Sequence, residues 1–384
     1  MSQFNFDEVI DRRNTGSYKW DSESYASVLP MWVADMDFKA ATCITEALKE
    51  RIENHPVFGY ALAPDSLYET IQKYLKNTYQ WDVDKNWIVW LPGLETSFTV
   101  ASKTRHTDDA AVFYLSPIYP PFYTGPKAVG KKTHAIPVNL YEGTWKIDFD
   151  KFESLLKEES GPKTLLFCNP HNPIGKVYSM EELEKLSSLC LMYDVLMVSD
   201  EVHCDLILDS NKKHIPIATL NSDILKKTIT LMAASKTYNI AGLGCGFAII
   251  PDEQVRQSYK INMRGHTAMV NPFGFIAAEA AYKNGESWRL ELIDYLNENL
   301  TILKDFFDKF DQCHFHPPEA SFLAWVDCSD LKLDNTSAYF KSHGVAFSPG
   351  EHFGSKGWIR INFACPKSTL IEGLKRFEEA LKQI

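Results

Sequence analysis

The chain has 384 residues, of which 45% are hydrophobic, and a formal net charge of −10 at pH 7. A chain of this length can bury a large core, and we expect two domains that share one cleft. The acidic balance argues against a nucleic-acid partner, because phosphate binding requires a basic surface. No apolar run approaches the length of a membrane span, and no charged and then apolar leader opens the chain, so we expect no membrane partner.

The eight cysteines are scattered along the chain, and none forms a Cys-x-x-Cys motif. A chain of this size does not need disulfide bonds for its stability, so we expect reduced thiols and a cytoplasmic protein. His314 and His316 lie close together in the sequence, but the sequence offers no clear third metal ligand, so we expect no metal site.

In chain order, the middle of the sequence alternates short apolar runs with amphipathic stretches. Seven runs are typical of strands buried on both faces, and they lie at 87–91, 111–115, 134–138, 164–168, 195–199, 228–232 and 246–250. Helical patterns separate several of them, for example at 180–193. The alternation predicts an α/β fold in which helices sandwich a mostly parallel seven-stranded sheet.

The pattern changes after about residue 285. A long helical stretch at about 286–310 precedes short apolar runs near 321–326, 344–347 and 357–363 and a closing helical stretch near 368–382. We therefore predict a large domain over residues 46–285 and a smaller α+β domain over residues 286–384. Residues 1–45 lack the parallel-sheet pattern, and we expect them to join the smaller domain.

Polar and glycine-bearing segments follow the predicted strands, where open α/β sheets bind their ligands. After successive strands come the turn Gly93-Leu94-Glu95, Tyr119 between prolines, Asn172 in NPHNPIGK, Asp200 followed by His203, and the pair Ser235-Lys236. The glycine turn opens a predicted helix, whose free backbone N–H groups favour a phosphate. Each segment alone has an ordinary explanation, such as a turn or a helix cap, but five of them at strand ends favour a ligand site.

This set of side chains has the chemistry that pyridoxal 5'-phosphate requires. A lysine can form the Schiff base, and a carboxylate can keep the pyridine nitrogen protonated, so that the ring accepts electrons. An amide can bind the phenolic oxygen, an aromatic ring can stack on the pyridine, and a helix N-terminus can bind the phosphate. The sequence therefore predicts a pyridoxal phosphate site.

Six strings carry a resemblance to a known family: MWVADMDF (31–38), FGYA (58–61), NPHNPIGKVY (169–178), SDEVHCDL (199–206), SKTYNIAGL (235–243) and RINFACP (360–366). The chain resembles the fold-type I pyridoxal phosphate enzymes of the class I/II aminotransferase superfamily from about Phe4 to Ile384. Within that superfamily, WVADMDF and SDEVHCDL resemble the cystathionine β-lyase branch of MalY, PatB and cystalysin, whose members are C–S lyases.

The resemblance implies a cofactor-binding role for most of these residues. It implies that Lys236 holds the cofactor covalently and then acts as the catalytic base, that Asp200 pairs with the pyridine nitrogen and that Asn172 binds the phenolic oxygen. Tyr119 would stack on the ring, and Gly93, Leu94 and Glu95 would bind the phosphate through backbone amides. His203 stands where many relatives have tyrosine, and Ser235 precedes the lysine in the same cofactor-binding set.

The resemblance also implies residues that bind the substrate and connect two subunits. Arg360 would bind the substrate α-carboxylate through a bidentate pair. Tyr60 would reach the phosphate of the neighbouring subunit, which implies an obligate homodimer with composite sites. The string MWVADMDF would line the substrate side-chain pocket, with Trp32 and Met36 beside the thioether and Asp37 near the mouth.

Three positions differ from the family pattern. Ala233 stands where relatives often have a phosphate-binding serine, and Gly244 stands where many aminotransferases have arginine. The lyases usually have Gly-Val-Val-Pro where this chain has Gly-Leu-Glu-Thr, which adds the negative charge of Glu95. Four hydroxyl groups are candidates to replace the missing phosphate ligands: those of Thr96, Ser97, Ser235 and Thr237.

The resemblance implies β-elimination on sulfur amino acids such as L-cystathionine or L-cystine, which yields a thiol, pyruvate and ammonia. Aminotransfer needs the same residues and stays open as an alternative. A non-catalytic regulatory or interaction protein on the same fold is a second alternative, although such a protein would not need to keep both Lys236 and Arg360.

Overall fold

A computed structural model describes residues 3–22, 27–105, 107 and 109–384 of the chain. The predicted N-terminal segment therefore includes six residues, 1, 2 and 23–26, that lie outside the described residues. None of the helices in the described residues is both long enough and apolar enough to cross a bilayer.

A large sheet of eight strands lies at the centre of the molecule, in the order β2-β9-β8-β7-β6-β3-β4-β5. Its strands are β2 (Ile88–Leu91), β3 (Ala111–Ser116), β4 (Lys132–Tyr141), β5 (Thr144–Ile147), β6 (Lys163–Cys168), β7 (Val195–Asp200), β8 (Thr228–Met232) and β9 (Gly246–Ile249). The run from β4 through β3, β6 and β7 to β8 is parallel, whereas β2, β5 and β9 pair antiparallel.

Helices connect these strands and continue into the C-terminal part of the chain. They are α1 (Thr42–Asn54), α2 (Asp65–Tyr79), α3 (Glu95–Ser102), α4 (Pro121–Ala128), α5 (Phe149–Glu158), α6 (Met180–Met192), α7 (Ser222–Lys226), α8 (Glu253–Met263), α9 (Pro272–Asn284), α10 (Glu286–Phe307), α11 (Thr336–Ser342) and α12 (Lys367–Leu381). Asp148, Ser179 and Asp252 cap the N-termini of α5, α6 and α8 with their side chains.

The central strands are mostly apolar because both faces of the sheet are buried. In β6, Leu165 and Phe167 belong to the core on one face, whereas Leu166 and Cys168 belong to the core on the other. Successive side chains of a strand point to opposite faces, so a strand covered by helices on both sides needs apolar residues at most positions. This leaves the ends of the strands as the place for polar groups.

A second, smaller sheet lies in the C-terminal part of the chain. It is antiparallel and consists of β10 (His314–Phe315), β11 (Leu323–Asp327), β14 (Trp358–Asn362) and β13 (Ser348–Pro349), in that order. The short strand β1 (Leu29–Pro30) pairs in parallel with β12 (Val345–Ala346), so the N-terminal segment joins the C-terminal part of the chain.

The predicted fold class is confirmed, with one strand more than expected. Each of the seven predicted runs overlaps a strand of the large sheet, and β5 adds an eighth through an antiparallel hairpin with β4. The sequence of β5, Thr-Trp-Lys-Ile, is short and half polar, so it lacks the apolar run that marks a buried strand. The domain boundaries at residues 45 and 285 stay a prediction.

The prediction that Asp37 lies near the mouth of the substrate pocket is wrong. Asp37 is 4% exposed and sits in a buried ionic cluster. Its carboxylate accepts hydrogen bonds from Lys19 Nζ at 2.7 Å, from Arg12 Nη1 at 2.7 Å and from Trp20 Nε1 at 2.8 Å. A buried carboxylate needs hydrogen-bonded and charged partners, and these partners hold Asp37 away from the cavity.

Met36 is also misplaced by the sequence-based interpretation. Its side chain is 1% exposed and packs in the core with Phe38 and Ile44 rather than in the substrate pocket. In the 31–38 segment, Trp32, Val33 and Ala34 line the cavity, whereas Met36 and Asp37 secure the segment to the protein behind it. The string was assigned to the correct region, but the direction of its individual side chains was not readable from the sequence.

We predict that Asp37→Asn destabilises the protein by about 3 kcal/mol, because it leaves the buried Lys19 ammonium without its nearest counter-charge. The matched control is Glu8→Gln, which breaks an exposed ion pair with Lys39 and should cost less than about 1 kcal/mol. Urea denaturation of both variants measures the difference. Equal losses of stability in the two variants would contradict a structural role for Asp37.

Candidate active site

A cavity of about 600 Å³ lies at the carboxyl ends of the central parallel strands. Cys168 ends β6, Asp200 ends β7 and Lys236 follows β8, and all three line this cavity. Neighbouring parallel strands end at the same edge of the sheet, so the polar residues that follow them meet there. The cavity lining includes these predicted residues: Trp32, Gly93, Leu94, Glu95, Tyr119, Asn172, Asp200, His203, Ser235, Lys236 and Arg360.

Lys236 directs its amine toward the 31–38 segment. Its Nζ donates a hydrogen bond to the carbonyl oxygen of Ala34 at 2.7 Å. Burial, together with the nearby positive charge of Arg360, lowers the pKa of Lys236 to about 8. An amine with this pKa is partly neutral at physiological pH, as a nucleophile or a general base must be.

Arg360 reaches the cavity from β14 of the smaller sheet. Its guanidinium donates to Asn172 Oδ1 at 3.1 Å, to the Trp32 carbonyl oxygen at 3.1 Å and to Ser348 Oγ at 3.2 Å. Its Nε is buried with no hydrogen-bond partner in the described residues. Burial lowers the pKa of Arg360 to about 10, which still leaves it charged at neutral pH. The arrangement presents a fixed, desolvated cation to an incoming carboxylate.

Asp200 and His203 are two titratable groups of the cavity, and burial disfavours the charged form of each. Burial raises the pKa of Asp200 to about 7, while the backbone N–H of Val202 donates to its Oδ1 at 3.2 Å. A cationic N–H beside this carboxylate would restore its ionised form. Burial lowers the pKa of His203 to about 3, so its imidazole is neutral, and its Nδ1 has no hydrogen-bond partner in the described residues.

Tyr119 and Glu95 form another part of the cavity wall. Tyr119 directly precedes the two prolines at the start of α4, and its hydroxyl donates to Glu95 Oε2 at 3.3 Å. Burial raises the pKa of Tyr119 to about 12, with a further contribution from the charge of Glu95, so the hydroxyl keeps its proton. Glu95 is the first residue of α3, and Gly93 and Leu94 precede it in the turn that opens the helix.

The structure gives a physical reason for glycine at position 244, where many aminotransferases have arginine. Gly244 has φ +58°, in the left-handed region that favours glycine. A Cβ atom there would also lie 2.8 Å from the carbonyl oxygen of Pro92, which leads into the Gly93 turn. The two loops therefore approach each other too closely for any side chain at position 244.

Two of the four candidate hydroxyl groups lie in the cavity. Thr96 and Ser235 line it, whereas Ser97 and Thr237 are completely buried behind it. Tyr60 lies elsewhere, in the loop between α1 and α2, and its side chain is 97% exposed. Nothing in the described residues explains such an exposed aromatic residue.

Sequence reasoning missed several residues of the site. Tyr18 lines the cavity and packs edge to face on Trp32, with ring centroids 5.2 Å apart. Ser348 holds Arg360 and also donates to the Trp32 carbonyl oxygen at 2.8 Å. Neither residue follows a strand of the large sheet, so the strand-end argument could not find them. Cys168 ends a predicted strand beside Asp200, so its place in the cavity could have been predicted from the sequence.

The residues present fit pyridoxal 5'-phosphate. Among the described residues, the buried nitrogen atoms Arg360 Nε and His203 Nδ1 have no partner, and Asp200 is a carboxylate that a pyridinium N–H would stabilise. Lys236 supplies an amine with a lowered pKa. The turn before α3 supplies backbone N–H groups at a helix N-terminus, where a phosphate binds favourably.

Comparison with known proteins places this arrangement in a family. The sequence matches the family described as aminotransferase class I and II over residues 27–377. Cystathionine beta-lyase PatB of Bacillus subtilis is 37% identical over 98% of this chain and 100% of its own length. The crystal structure of cystalysin from Treponema denticola, which contains a pyridoxal 5'-phosphate cofactor, is 32% identical, with a TM-score of 0.93 and 99% of both chains covered.

A third similar protein is OvoB, whose crystal structure is 38% identical to this chain. Its TM-score is 0.94, and the match covers 98% of this chain and 99% of the other. All three relatives match along nearly their full length, and the family match spans residues 27–377 of this chain. The chain therefore belongs to the class I and II aminotransferase family.

Proposed function

We propose that this protein is a pyridoxal phosphate-dependent carbon–sulfur lyase. It would cleave the Cβ–S bond of cysteine S-conjugates such as L-cystathionine or L-cystine and, with water, yield a thiol, pyruvate and ammonia. The observation that carries the proposal is the convergence of Lys236, Asp200 and Arg360 in one cavity at the sheet edge. Similarity to PatB, which is named a cystathionine beta-lyase, along nearly the whole chain supports the reaction type.

Arg360 and Asn172 orient the substrate. The Arg360 guanidinium binds the α-carboxylate, and its existing bonds to Asn172 Oδ1 and Ser348 Oγ keep it from turning away. Such preorganisation lowers the entropic cost of placing the reacting atoms. Asn172 also lies beside Cys168 at the end of β6, where its backbone N–H donates to the cysteine sulfur at 3.4 Å.

Lys236 moves the proton. When bound, pyridoxal 5'-phosphate supplies an electron sink for the pair of electrons left on Cα. Lys236 Nζ accepts the Cα proton, a role that its pKa of about 8 permits near neutral pH. Asp200 holds the pyridine nitrogen in its protonated form, and neutral His203 places no competing cation beside it. The thiolate then leaves from Cβ.

The charged groups of the cavity favour elimination over transfer of an amino group between dicarboxylates. Within the part of the chain that the structure describes, Arg360 is the only guanidinium that lines the cavity. A transaminase for dicarboxylic substrates would need a second cation for the second carboxylate. The thioether itself needs none, and Trp32 and Leu94 provide apolar surface for it. The distal carboxylate of L-cystathionine or L-cystine already has the neighbouring ammonium as its counter-charge.

We predict multiple turnovers of pyruvate formation from L-cystathionine with pyridoxal phosphate alone and no keto acid. Lactate dehydrogenase coupling measures pyruvate, and Lys236→Ala, which removes the proton acceptor, should reduce the rate at least about 10²-fold. A parallel mixture of alanine and 2-oxoglutarate tests the alternative. Glutamate formation there, without pyruvate from L-cystathionine, would identify an aminotransferase instead.

We also propose that two copies of this chain form a homodimer and that Tyr60 completes the site of the partner. Its loop exposes a row of large apolar side chains, with Val57 at 76%, Phe58 at 56% and Leu62 at 85% exposure. Contiguous apolar exposure of this kind is typical of an interface. The loop lies outside the cavity of its own chain, so Tyr60 can contribute only across such an interface.

We predict that mixing Tyr60→Phe subunits with Lys236→Ala subunits restores activity, if each variant alone is nearly inactive. Half of the sites in a hybrid dimer then contain both an intact Tyr60 and an intact Lys236. Subunits with different affinity tags allow the hybrid to be isolated before its rate is measured. An isolated hybrid that is no more active than either parent would exclude a role for Tyr60 across the interface.

A further inference from the structure

The proposed reaction accounts for three of the charged side chains in the cavity but leaves Glu95 without a counter-charge. Lys236 and Asp200 act on the cofactor, and Arg360 binds the α-carboxylate. The Glu95 carboxylate also lines the cavity, and it forms no ion pair with any lysine, arginine or histidine in the described residues. Its hydrogen bond comes from the hydroxyl of Tyr119, a neutral donor.

The position of Glu95 on α3 explains only part of its environment. An acidic residue in the first turn of a helix is favoured by the helix dipole, and that alone would account for a glutamate there. The dipole does not account for the direction of the side chain, which extends to Tyr119 across the cavity wall. Tyr119 in turn lies close enough to both Glu95 and Arg360 for both charges to act on its hydroxyl.

A substrate held by Arg360 would therefore lie in the field of both groups. Its α-carboxylate is fixed at Arg360 and its Cα faces Lys236, and the substituent on sulfur can run from the apolar surface of Trp32 and Leu94 to the wall that Tyr119 and Glu95 form. That wall carries the negative charge of Glu95. A positive group on the substituent would gain a counter-charge there, and a negative group would be repelled.

We propose that Glu95 makes the enzyme selective for cysteine S-conjugates whose sulfur substituent carries an ammonium group. This inference rests on the proposed function, because it concerns the leaving group of that same reaction. The Glu95 carboxylate accepts a charge-assisted hydrogen bond from the ammonium, and Tyr119 holds the carboxylate in place through its hydroxyl. L-Cystathionine and L-cystine carry such an ammonium at their far end on the same carbon as a carboxylate, so conjugates with a single charge are needed to test the preference.

Three synthetic conjugates separate charge from size. S-(2-aminoethyl)-L-cysteine carries a positive charge, S-propyl-L-cysteine has the same number of heavy atoms and no charge, and S-(2-carboxyethyl)-L-cysteine carries a negative charge. The variant is Glu95→Gln, which keeps the size of the side chain. The matched control is Glu181→Gln, which removes an exposed acid from the first turn of α6, outside the cavity.

The expected result is that the unmodified enzyme prefers the aminoethyl conjugate to the propyl conjugate by about tenfold in kcat/KM, the scale of one charge-assisted hydrogen bond. The carboxyethyl conjugate should be the poorest substrate. Glu95→Gln should reduce the aminoethyl-to-propyl ratio to about one, whereas Glu181→Gln should keep it. An equal rate for the two conjugates, or an unchanged ratio in Glu95→Gln, would overturn the proposal.

A binding measurement keeps this test separate from the reaction itself. L-Lysine and L-2-aminoheptanoic acid match the aminoethyl and propyl conjugates in shape but have no leaving group on Cβ. Calorimetry should show tighter binding of L-lysine in the unmodified protein and equal binding of the two in Glu95→Gln. Failure of every conjugate to release pyruvate would refute the lyase proposal. The difference in binding between the two amino acids without a leaving group would still decide the role of Glu95.

The affinity for pyridoxal phosphate should be measured for the same variants. The Glu95 carboxylate follows the turn proposed to bind the phosphate, and a like charge beside the phosphate would weaken the binding of the cofactor. If Glu95→Gln binds the cofactor more tightly and leaves both selectivity ratios unchanged, the carboxylate acts on the phosphate alone. That outcome would overturn the substrate-selectivity proposal.

Discussion

Burial of both faces of the large sheet is the constraint on which the rest of the structure depends. Apolar side chains alternate between two cores along the parallel strands, which leaves little room for charged groups on either face. The polar groups therefore gather where the strands end, and parallel strands end together. Asp200, Lys236 and Cys168 come from distant parts of the sequence and share one cavity for this reason. The chemistry of the site follows from that burial, because the same low-dielectric surroundings shift the pKa values of Lys236 and Asp200 toward each other.

The 31–38 segment completes the site from outside the large sheet. Asn239, three residues after Lys236, accepts a hydrogen bond from the Met36 backbone N–H and donates to the Met36 and Phe38 carbonyl oxygens. Asn362 of β14 donates to the carbonyl oxygens of Val33 and Asp35. The segment is thus fixed to the lysine loop on one side and to the strand of Arg360 on the other. This connection holds the cofactor side and the substrate side of the cavity at a set distance, as preorganised catalysis requires.

The parts of the molecule that the sequence predicted are those governed by local rules. Buried strands have a length and an apolar pattern that can be read directly, and the residue after each strand follows from its position, as Asn172 and Lys236 illustrate. No such rule gives the direction of a side chain in an irregular segment. The sequence-based prediction therefore put Asp37 at the pocket, whereas in the structure it binds Lys19 and Arg12. Ser348 could not be found because its place opposite Arg360 depends on the register between β13 and β14 of the smaller sheet. The role of Tyr60 depends on a second chain, which no pattern within one chain describes.

The central claim is that Lys236 is the residue that holds the cofactor. The most direct measurement is borohydride reduction of the protein saturated with pyridoxal phosphate, followed by peptide mapping with mass spectrometry. We expect a single pyridoxyl group on the peptide that contains Lys236, with no comparable label on the buried Lys176, whose amine pairs with Glu182 at 3.0 Å. A pyridoxyl group on any other lysine, or a saturated protein in which Lys236 stays unlabelled, would contradict the account.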